Sequence, residues 1–297
     1  MKVASTFSYN GQWLHDELMS KHTSWRVGGK ADNYYIPADL NDLQHYLQLI
    51  PSNADISWVG LGSNLLVRDG GIRGYVIGTL NALKEITLGD DGLVYAQAGV
   101  TCAKIAKFCV KQGLAGADFL AGIPGTVGGA LAMNAGAFGS ETWSFVAQLE
   151  MINRQGDLIN RTPEEFDISY RRVSQFDNEW FAAAKFQFSA QVETKESNIK
   201  QLLQQRNDSQ PIGLPSCGSV FKNPKGQHAA KLIEAAGLKG YYHGQAWVSE
   251  KHANFVISND QTLAKDIEEL IALIQQTVKQ KFDVTLETEV RILGEEL

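Results

Sequence analysis

Apolar residues along the chain recur at two spacings, and each predicts a different kind of element. Leu43, Leu47 and Ile50 lie on one helical face of residues 40–50, with Asp39 placed as an N-cap and Pro51 ending the run. Ile105, Phe108 and Cys109 mark a second helix, capped by Thr101 and running to about Gln112. A polar helix is expected over Thr194–Asn207, a short one over 228–236, and a long one over 262–281. The long helix carries the stripe Leu263, Ile267, Leu270, Ile271, Ile274 and Val278. Strands are expected at Tyr34–Ile36, Ile56–Val59, Leu65–Val67, Gly74–Gly78, 146–152, 158–161, Phe181–Phe188, 284–286 and 289–293. Residues 84–88 and 93–97 form a hairpin around Gly89-Asp90-Asp91-Gly92. The alanine run inside the Phe181–Phe188 strand predicts close packing against a flat neighbour. Hairpins mixed with crossovers predict an α+β fold with mixed sheets.

Two glycine-rich stretches interrupt this pattern. The first, Gly60-Leu61-Gly62-Ser63-Asn64, sits between two short apolar runs. A dinucleotide fingerprint would need a third glycine and a helix next; Arg68-Asp69-Gly70-Gly71 follows instead, so strand–turn–strand is the reading. The second, GIPGTVGGALAMNAGAFG at 122–139, holds Gly122, Gly125, Gly128, Gly129, Gly136 and Gly139 and almost no charge. Glycine concentrates where backbone turns unusually or approaches something closely. Such a stretch either cradles phosphate on backbone N–H groups or makes a tight buried turn. Two stretches suit a long dinucleotide better than a single phosphate. Ser63, Asn64, Thr126 and Asn134 add neutral polar groups.

Composition narrows the class of function. The net charge of −6 and the scattered Lys and Arg exclude a nucleic-acid partner. The N-terminal MKVASTFSYNGQWLHDE lacks the apolar region of a signal peptide, and no apolar run approaches the length of a membrane helix, so a cytoplasmic protein without a membrane partner is expected. Cys102, Cys109 and Cys217 suit a reducing compartment, with the first two on one packed face. No Cys/His spacing suits zinc and the histidines are dispersed, so no protein-bound metal is expected.

Several side chains could carry chemistry, each with a plain structural alternative. Ser219, in CGSVFKNP, is a turn serine or a proton donor; no G-x-S-x-G elbow supports a serine hydrolase. Arg171, in SYRR, is a surface arginine or a bidentate clamp on a carboxylate or phosphate. Glu289, in LETEVRIL, is an exposed strand-edge acid or a buried group that polarises substrate. Lys222 and Asn223 suit an anionic substrate, and Lys251 and His252 either bind anionic groups or form a turn.

These motifs occur in the order TSWRVGG, GLGSNLLVRDGG, AGIPGTVGGALAMNAGAFG, SYRR, CGSVFKNP, SEKHANF and EVRILGE. In that order the chain resembles the bacterial UDP-N-acetylenolpyruvoylglucosamine reductases, flavoenzymes of peptidoglycan precursor synthesis, over nearly its whole length. The resemblance implies an FAD-binding fold of the vanillyl-alcohol-oxidase type, made of two α+β subdomains at 1–82 and 83–208. A C-terminal α+β substrate-binding domain at 209–297 follows, with the last strand returning toward the first subdomain. It implies noncovalent FAD, since neither glycine turn holds a histidine, with NADPH as hydride donor and a sugar nucleotide as substrate. FAD would contact Gly60, Gly62, Ser63, Asn64, Gly122, Pro124, Gly125, Thr126, Gly128, Gly129, Asn134 and Gly136. The catalytic positions carried over are Arg171, Ser219 and Glu289, and those for substrate binding are Tyr170, Lys222, Asn223, Lys251 and His252. The implied reaction passes hydride from flavin N5 to the enolpyruvyl methylene carbon and a proton from Ser219 to its neighbour. The spacing of about 48 positions between Arg171 and Ser219 resembles the shorter subtype, which lacks an inserted loop, and Arg172 stands where the commoner motif has Asp or Glu. The other readings are a different FAD oxidoreductase of the same fold and a non-catalytic nucleotide-binding module.

Overall fold

The structure, a computed structural model, describes residues 9–190 and 198–297. Its principal elements are β1 (Gln12–Leu18), β2 (Lys30–Ile36), α1 (Leu40–Leu49), β3 (Ile56–Val59), β4 (Leu65–Val67), β5 (Ile72–Gly78), β6 (Ile86–Leu88) and β7 (Val94–Gln97). There follow α2 (Cys102–Lys111), α3 (Val127–Met133), β8 (Val146–Asn153), β9 (Leu158–Arg161), β10 (Glu179–Phe186) and α4 (Ile199–Ser209). The chain closes with α5 (Ala229–Ala235), β11 (Tyr242–His243), β12 (Ala246–Val248), β13 (Val256–Ile257), α6 (Ala264–Phe282) and β14 (Arg291–Leu293).

The expected caps form. The Asp39 carboxylate accepts the Asp42 N–H at 2.8 Å to open α1, and Thr101 Oγ1 accepts that of Lys104 at 3.3 Å to open α2. Cys102, Ile105 and Cys109 lie on the buried face of α2, with Phe108 partly buried beside them. Four features differ from the sequence pattern. Residues 122–139 do not remain a turn, because α3 forms within them. Glycines at 128 and 129 each cost about 1 kcal/mol relative to alanine in a helix; a Cβ on Gly128 would stand 3.0 Å from Ala98 Cβ, so close packing overrides propensity. Leu263 precedes α6 at its N-cap, outside the helical repeat, and its side chain is exposed. Residues 284–286 form no strand; Leu286 is buried by packing, and its carbonyl accepts from Gln275 Nε2 at 2.9 Å. The last strand starts at Arg291, so Glu289 lies just before it. The expected start of the polar helix, Thr194, lies outside the described residues, as do the first eight residues of the N-terminal stretch.

The chain divides into two compact units. The first takes the described part of Met1–Leu14 with Asn33–Gly60 and Gly74–Ile199. It holds a four-stranded sheet in the order β1-β2-β5-β3, with β3 and β5 parallel, and a five-stranded sheet in the order β9-β8-β10-β7-β6 that is antiparallel throughout. The alanine run Ala182–Ala184 lies in β10 and is fully buried; its small side chains let α3 lie close. Phe119, Leu131, Trp143, Met151, Phe166 and Phe186 fill the core between this sheet, α2 and α3.

The second unit takes His15–Asp32, Leu61–Arg73 and Lys200–Leu297. β14 pairs parallel with β4, Arg291 opposite Leu65 through Leu293 opposite Val67, and β11-β12-β13 make an antiparallel sheet. Trp25, Leu66, Phe221, Ile233 and the stripe of α6 form its core. The Arg68-Asp69 pair serves α6 here. Asp69 accepts the Ala264 and Lys265 N–H groups at 2.9 and 3.0 Å, and Arg68 grips Glu268 bidentately at 2.7 and 2.9 Å. Mixed parallel and antiparallel pairing makes the chain α+β, as its pattern predicts. Among the described residues no helix is long and apolar enough to cross a membrane.

Candidate active site

In the first unit the site is built around Thr126, the residue before α3. Its side chain is buried, and Oγ1 has no hydrogen-bond partner among the described residues. A buried hydroxyl left so costs about 1–3 kcal/mol. Glycine lies on both sides of it: a Cβ on Gly60 would fall 2.2 Å from that oxygen, and one on Gly129 would meet nothing but that oxygen, at 3.7 Å. An unpartnered hydroxyl between two bare backbone positions fits a bound polar group such as the diphosphate or ribityl chain of FAD. The nearby amides are engaged within the protein: Gly125 N donates to Ile123 O at 2.9 Å, Val127 N to Val100 O at 2.8 Å and Gly128 N to Ala98 O at 2.9 Å. Gly128 therefore contributes by lacking a side chain rather than by offering a donor. Gly122 does likewise, since a Cβ there would meet the Phe138 ring at 2.3 Å. Pro124, between them, is exposed.

Arg171 sits at the far end of the same glycine stretch. It adopts a left-handed backbone with φ 54°, as does Asn134 with φ 47°. Such backbone costs about 1–2 kcal/mol for a residue with a Cβ and marks a site that its surroundings hold in place. Arg171 Nη1 donates to Asn134 O at 3.1 Å and Nη2 to Gly136 O at 2.9 Å. Gly136 is required by space: a Cβ there would lie 2.4 Å from Ser140 O and 3.2 Å from Arg171 Nη1. Asn134 Nδ2 donates to Glu141 Oε2 at 2.9 Å, and Glu141 Oε1 stands 3.9 Å from the guanidinium. The exposed Tyr170 ring lies 5.0 Å from the guanidinium carbon. Arg172 is exposed, in a two-residue strand beside Ser169.

In the second unit backbone bonds link Asn64 to Glu289 and Glu289 to Val220, the residue after Ser219. Gly218, with φ 70°, turns the chain into Ser219. The next residue, Val220, accepts the Glu289 N–H at 2.8 Å, and Asn64 Nδ2 donates to the Glu289 carbonyl at 3.0 Å. Both backbone groups of Glu289 are thereby held, and its side chain is half-buried. Gly62, with φ 67°, is fixed in the turn, where a Cβ would strike His22 O at 1.9 Å. Ser63 is half-buried between Gly62 and Asn64. Cys217 Sγ donates to Gly62 O and Leu65 O at 3.5 and 3.3 Å, tying this turn to the Ser219 loop. Burial pushes the Cys217 thiol up to about 12, so it stays protonated and unreactive.

Four of the expected substrate contacts belong to this unit and have partners within the protein. Lys222 Nζ pairs with Glu287 at 2.5 Å, and Asn223 Oδ1 accepts from Ala229 N at 3.0 Å at the start of α5. Lys251, an exposed residue, bonds the Asn207 carbonyl through Nζ. His252 packs edge-on against Phe255, and its Nδ1 accepts from Asn254 N at 3.3 Å. Burial first, and Lys239 after it, hold the imidazole below its ordinary value. Arg171 belongs to the first unit, Ser219 and Glu289 to the second. Sequence reading passed over the long-range bonds made by Asn254, Cys217 and the Arg68-Asp69 pair. The signal for Asn254 was present: a lone amide inside the apolar run NFVIS. Among the described residues no group of three or more His, Cys, Asp or Glu gathers as a metal site.

Known proteins align with both parts. Residues 31–161 match the family described as FAD binding domain, and residues 210–293 the family UDP-N-acetylenolpyruvoylglucosamine reductase, C-terminal domain. A UDP-N-acetylenolpyruvoylglucosamine reductase of Coxiella burnetii (strain Dugway 5J108-111) is 51% identical over 96% of this chain and 96% of its own. One from Alkalilimnicola ehrlichii is 51% identical with the same coverage of each chain. The crystal structure of the reductase from Thermus caldophilus superposes with a TM-score of 0.81 at 28% identity, covering 97% of this chain and all of that one.

Proposed function

Since the chain belongs to the UDP-N-acetylenolpyruvoylglucosamine reductase family, we infer that it reduces the enolpyruvyl ether of UDP-N-acetylglucosamine to UDP-N-acetylmuramate, with FAD as cofactor and NADPH as electron donor. FAD, when bound, relays two electrons from NADPH to the carbon–carbon double bond. The Thr126 hydroxyl, with Gly60 and Gly129 beside it, supports a cofactor contact in the first unit. We assign flavin to 1–208, as subdomains 1–82 and 83–208, and substrate to 209–297; the match of residues 31–161 to an FAD binding domain and of 210–293 to the C-terminal domain supports the separation of flavin from the C-terminal part.

The single observation that carries the catalytic assignment is the bond from the Glu289 N–H to the carbonyl of Val220, the residue after Ser219. As the terminal methylene is reduced, negative charge gathers on the neighbouring carbon and in its carboxylate. Arg171 offers a planar fork of donors for that carboxylate, and two of its bonds to main-chain carbonyls already fix its plane. Glu289 is the proposed polarising group of the second unit, and stabilising charge where it develops is the larger part of such catalysis. Ser219 gives its hydroxyl proton to the carbon. Serine is a weak acid in water, but a carbanion-like centre is a far stronger base, so the transfer runs downhill. Lys222, Asn223, Lys251, His252 and Tyr170 are the candidate contacts for the phosphates and sugar. NADPH and sugar nucleotides are cytoplasmic metabolites, which puts the reaction there.

An anaerobic titration tests the reading. NADPH is expected to bleach the flavin absorbance of the wild-type protein, and the enolpyruvyl sugar nucleotide to restore it. In Ser219→Ala the bleaching should stay within about twofold, while restoration slows on the order of a thousandfold, the scale of one acid–base group. Equal losses in both steps would remove Ser219 as the proton donor. A wild-type flavin that NADPH does not bleach would remove the reductase reading itself.

A further inference from the structure

The segment between Ser219 and Glu289 is held by a residue that lies 35 positions beyond Ser219. We propose that Asn254 is a positioning residue for the proton-transfer step, setting Ser219 against Glu289 by gripping the backbone of Val220 and Phe221. The proposal rests on the reductase reading above and deepens it. Val220 and Phe221 are each 1% exposed, so water does not reach their peptide groups. Their two N–H and two C=O groups need protein partners. Val220 N donates to Asn254 O at 2.9 Å, Phe221 N to Asn254 Oδ1 at 3.0 Å, and Asn254 Nδ2 donates to Phe221 O at 2.8 Å. The fourth group, Val220 O, accepts from Glu289 N at 2.8 Å.

One asparagine, itself 4% exposed, therefore satisfies three of the four groups, and Glu289 N with Val290 N satisfies the last. Its amide matches the donor–acceptor pair of a peptide group, so it acts as a one-residue strand where no strand is available. The far side of the segment continues the pairing, with Lys222 N donating to Glu287 O at 2.9 Å and Phe221 bridged to Thr288. Ser219 is joined directly to the gripped residue, while Gly218 on its other side has open space around it. The hydroxyl is thus located from its C-terminal side. A displacement of about 1 Å at a reacting group can cost on the order of a hundredfold in rate. An acid that touches nothing in the first half-reaction loses nothing there.

Stopped-flow measurement of the two half-reactions on the holoenzyme separates this role from general support. Asn254→Ala removes both side-chain bonds; Asn254→Ser keeps a hydroxyl that can accept from Phe221 N. Flavin reduction by NADPH and FAD content are expected to stay within about twofold of wild type in both variants. Reoxidation by the enolpyruvyl substrate should slow by about tenfold in the serine variant and a hundredfold in the alanine variant. The solvent deuterium isotope effect on that step should rise, because proton delivery becomes limiting. Equal slowing of both half-reactions, an unchanged isotope effect, or failure of both variants to fold would overturn the assignment and leave Asn254 a packing residue. If wild type itself fails to show the two half-reactions, the reductase reading fails, independently of Asn254.

Discussion

Ser219, Glu289 and Arg171, the proposed catalytic residues, are each set by unusual or tethered backbone. Ser219 follows a left-handed glycine, Glu289 is held at both its N–H and its C=O, and Arg171 is itself left-handed while its guanidinium binds two carbonyls. Such positions cost local energy and hold functional groups in one geometry. His252 offers a titration at the same scale. Its folded value lies below the ordinary 6.5, chiefly through burial, so the unfolded chain binds the proton more readily. Its contribution to stability is therefore complete above about pH 6.5 and lost as pH falls through the lower folded value. Melting curves at pH 7.5 and 5.5 check this: His252→Gln is expected to lose less Tm on acidification than wild type. An equal loss would show that other groups govern the acid limb.

At the scale of elements, α3 and α6 show how local preference and packing divide the outcome. The apolar repeat of α6 was legible because five of its stripe residues are buried at regular spacing, and its cap came from Asp69, almost two hundred positions away. α3 was not legible, since its two glycines argue against a helix and the approach to Ala98 explains only Gly128. Gly129 gives a test that runs in opposite directions. A methyl group there meets only Thr126 Oγ1, at ordinary contact distance, and removes about 1 kcal/mol of helix penalty. Gly129→Ala should therefore raise the Tm of the flavin-free protein by a few degrees. It should also weaken FAD binding about tenfold, because the methyl fills the space beside the Thr126 hydroxyl. Thermal melts and a fluorescence titration with FAD check the two arms. Unchanged affinity would move the cofactor away from Thr126.

At the scale of the whole molecule, each compact unit is assembled from three separate stretches of chain and each carries part of the candidate machinery. The first contributes the Thr126 setting and Arg171; the second contributes Ser219, Glu289 and Asn254. The expected cofactor is bound without a covalent link. Acid or detergent denaturation should therefore release all flavin into the supernatant as FAD. Added FAD at a hundred times its Kd should stabilise the flavin-free protein by about 2.7 kcal/mol. Flavin that stays with the precipitated chain would contradict noncovalent binding.

The order of motifs from TSWRVGG to EVRILGE sufficed to identify the family, and apolar periodicity located the capped helices and most strands. Both kinds of signal are local: a cap, a repeat or a glycine turn records constraints that act within a few residues. What the tertiary structure alone decided were the long-range partners. Arg68 and Asp69 hold α6, Cys217 ties a turn to the Ser219 loop, and Asn254 grips Val220 and Phe221. Hydrogen bonds between residues far apart in sequence leave no periodicity behind, because each satisfies a buried peptide group whose need arises only once the core has closed around it.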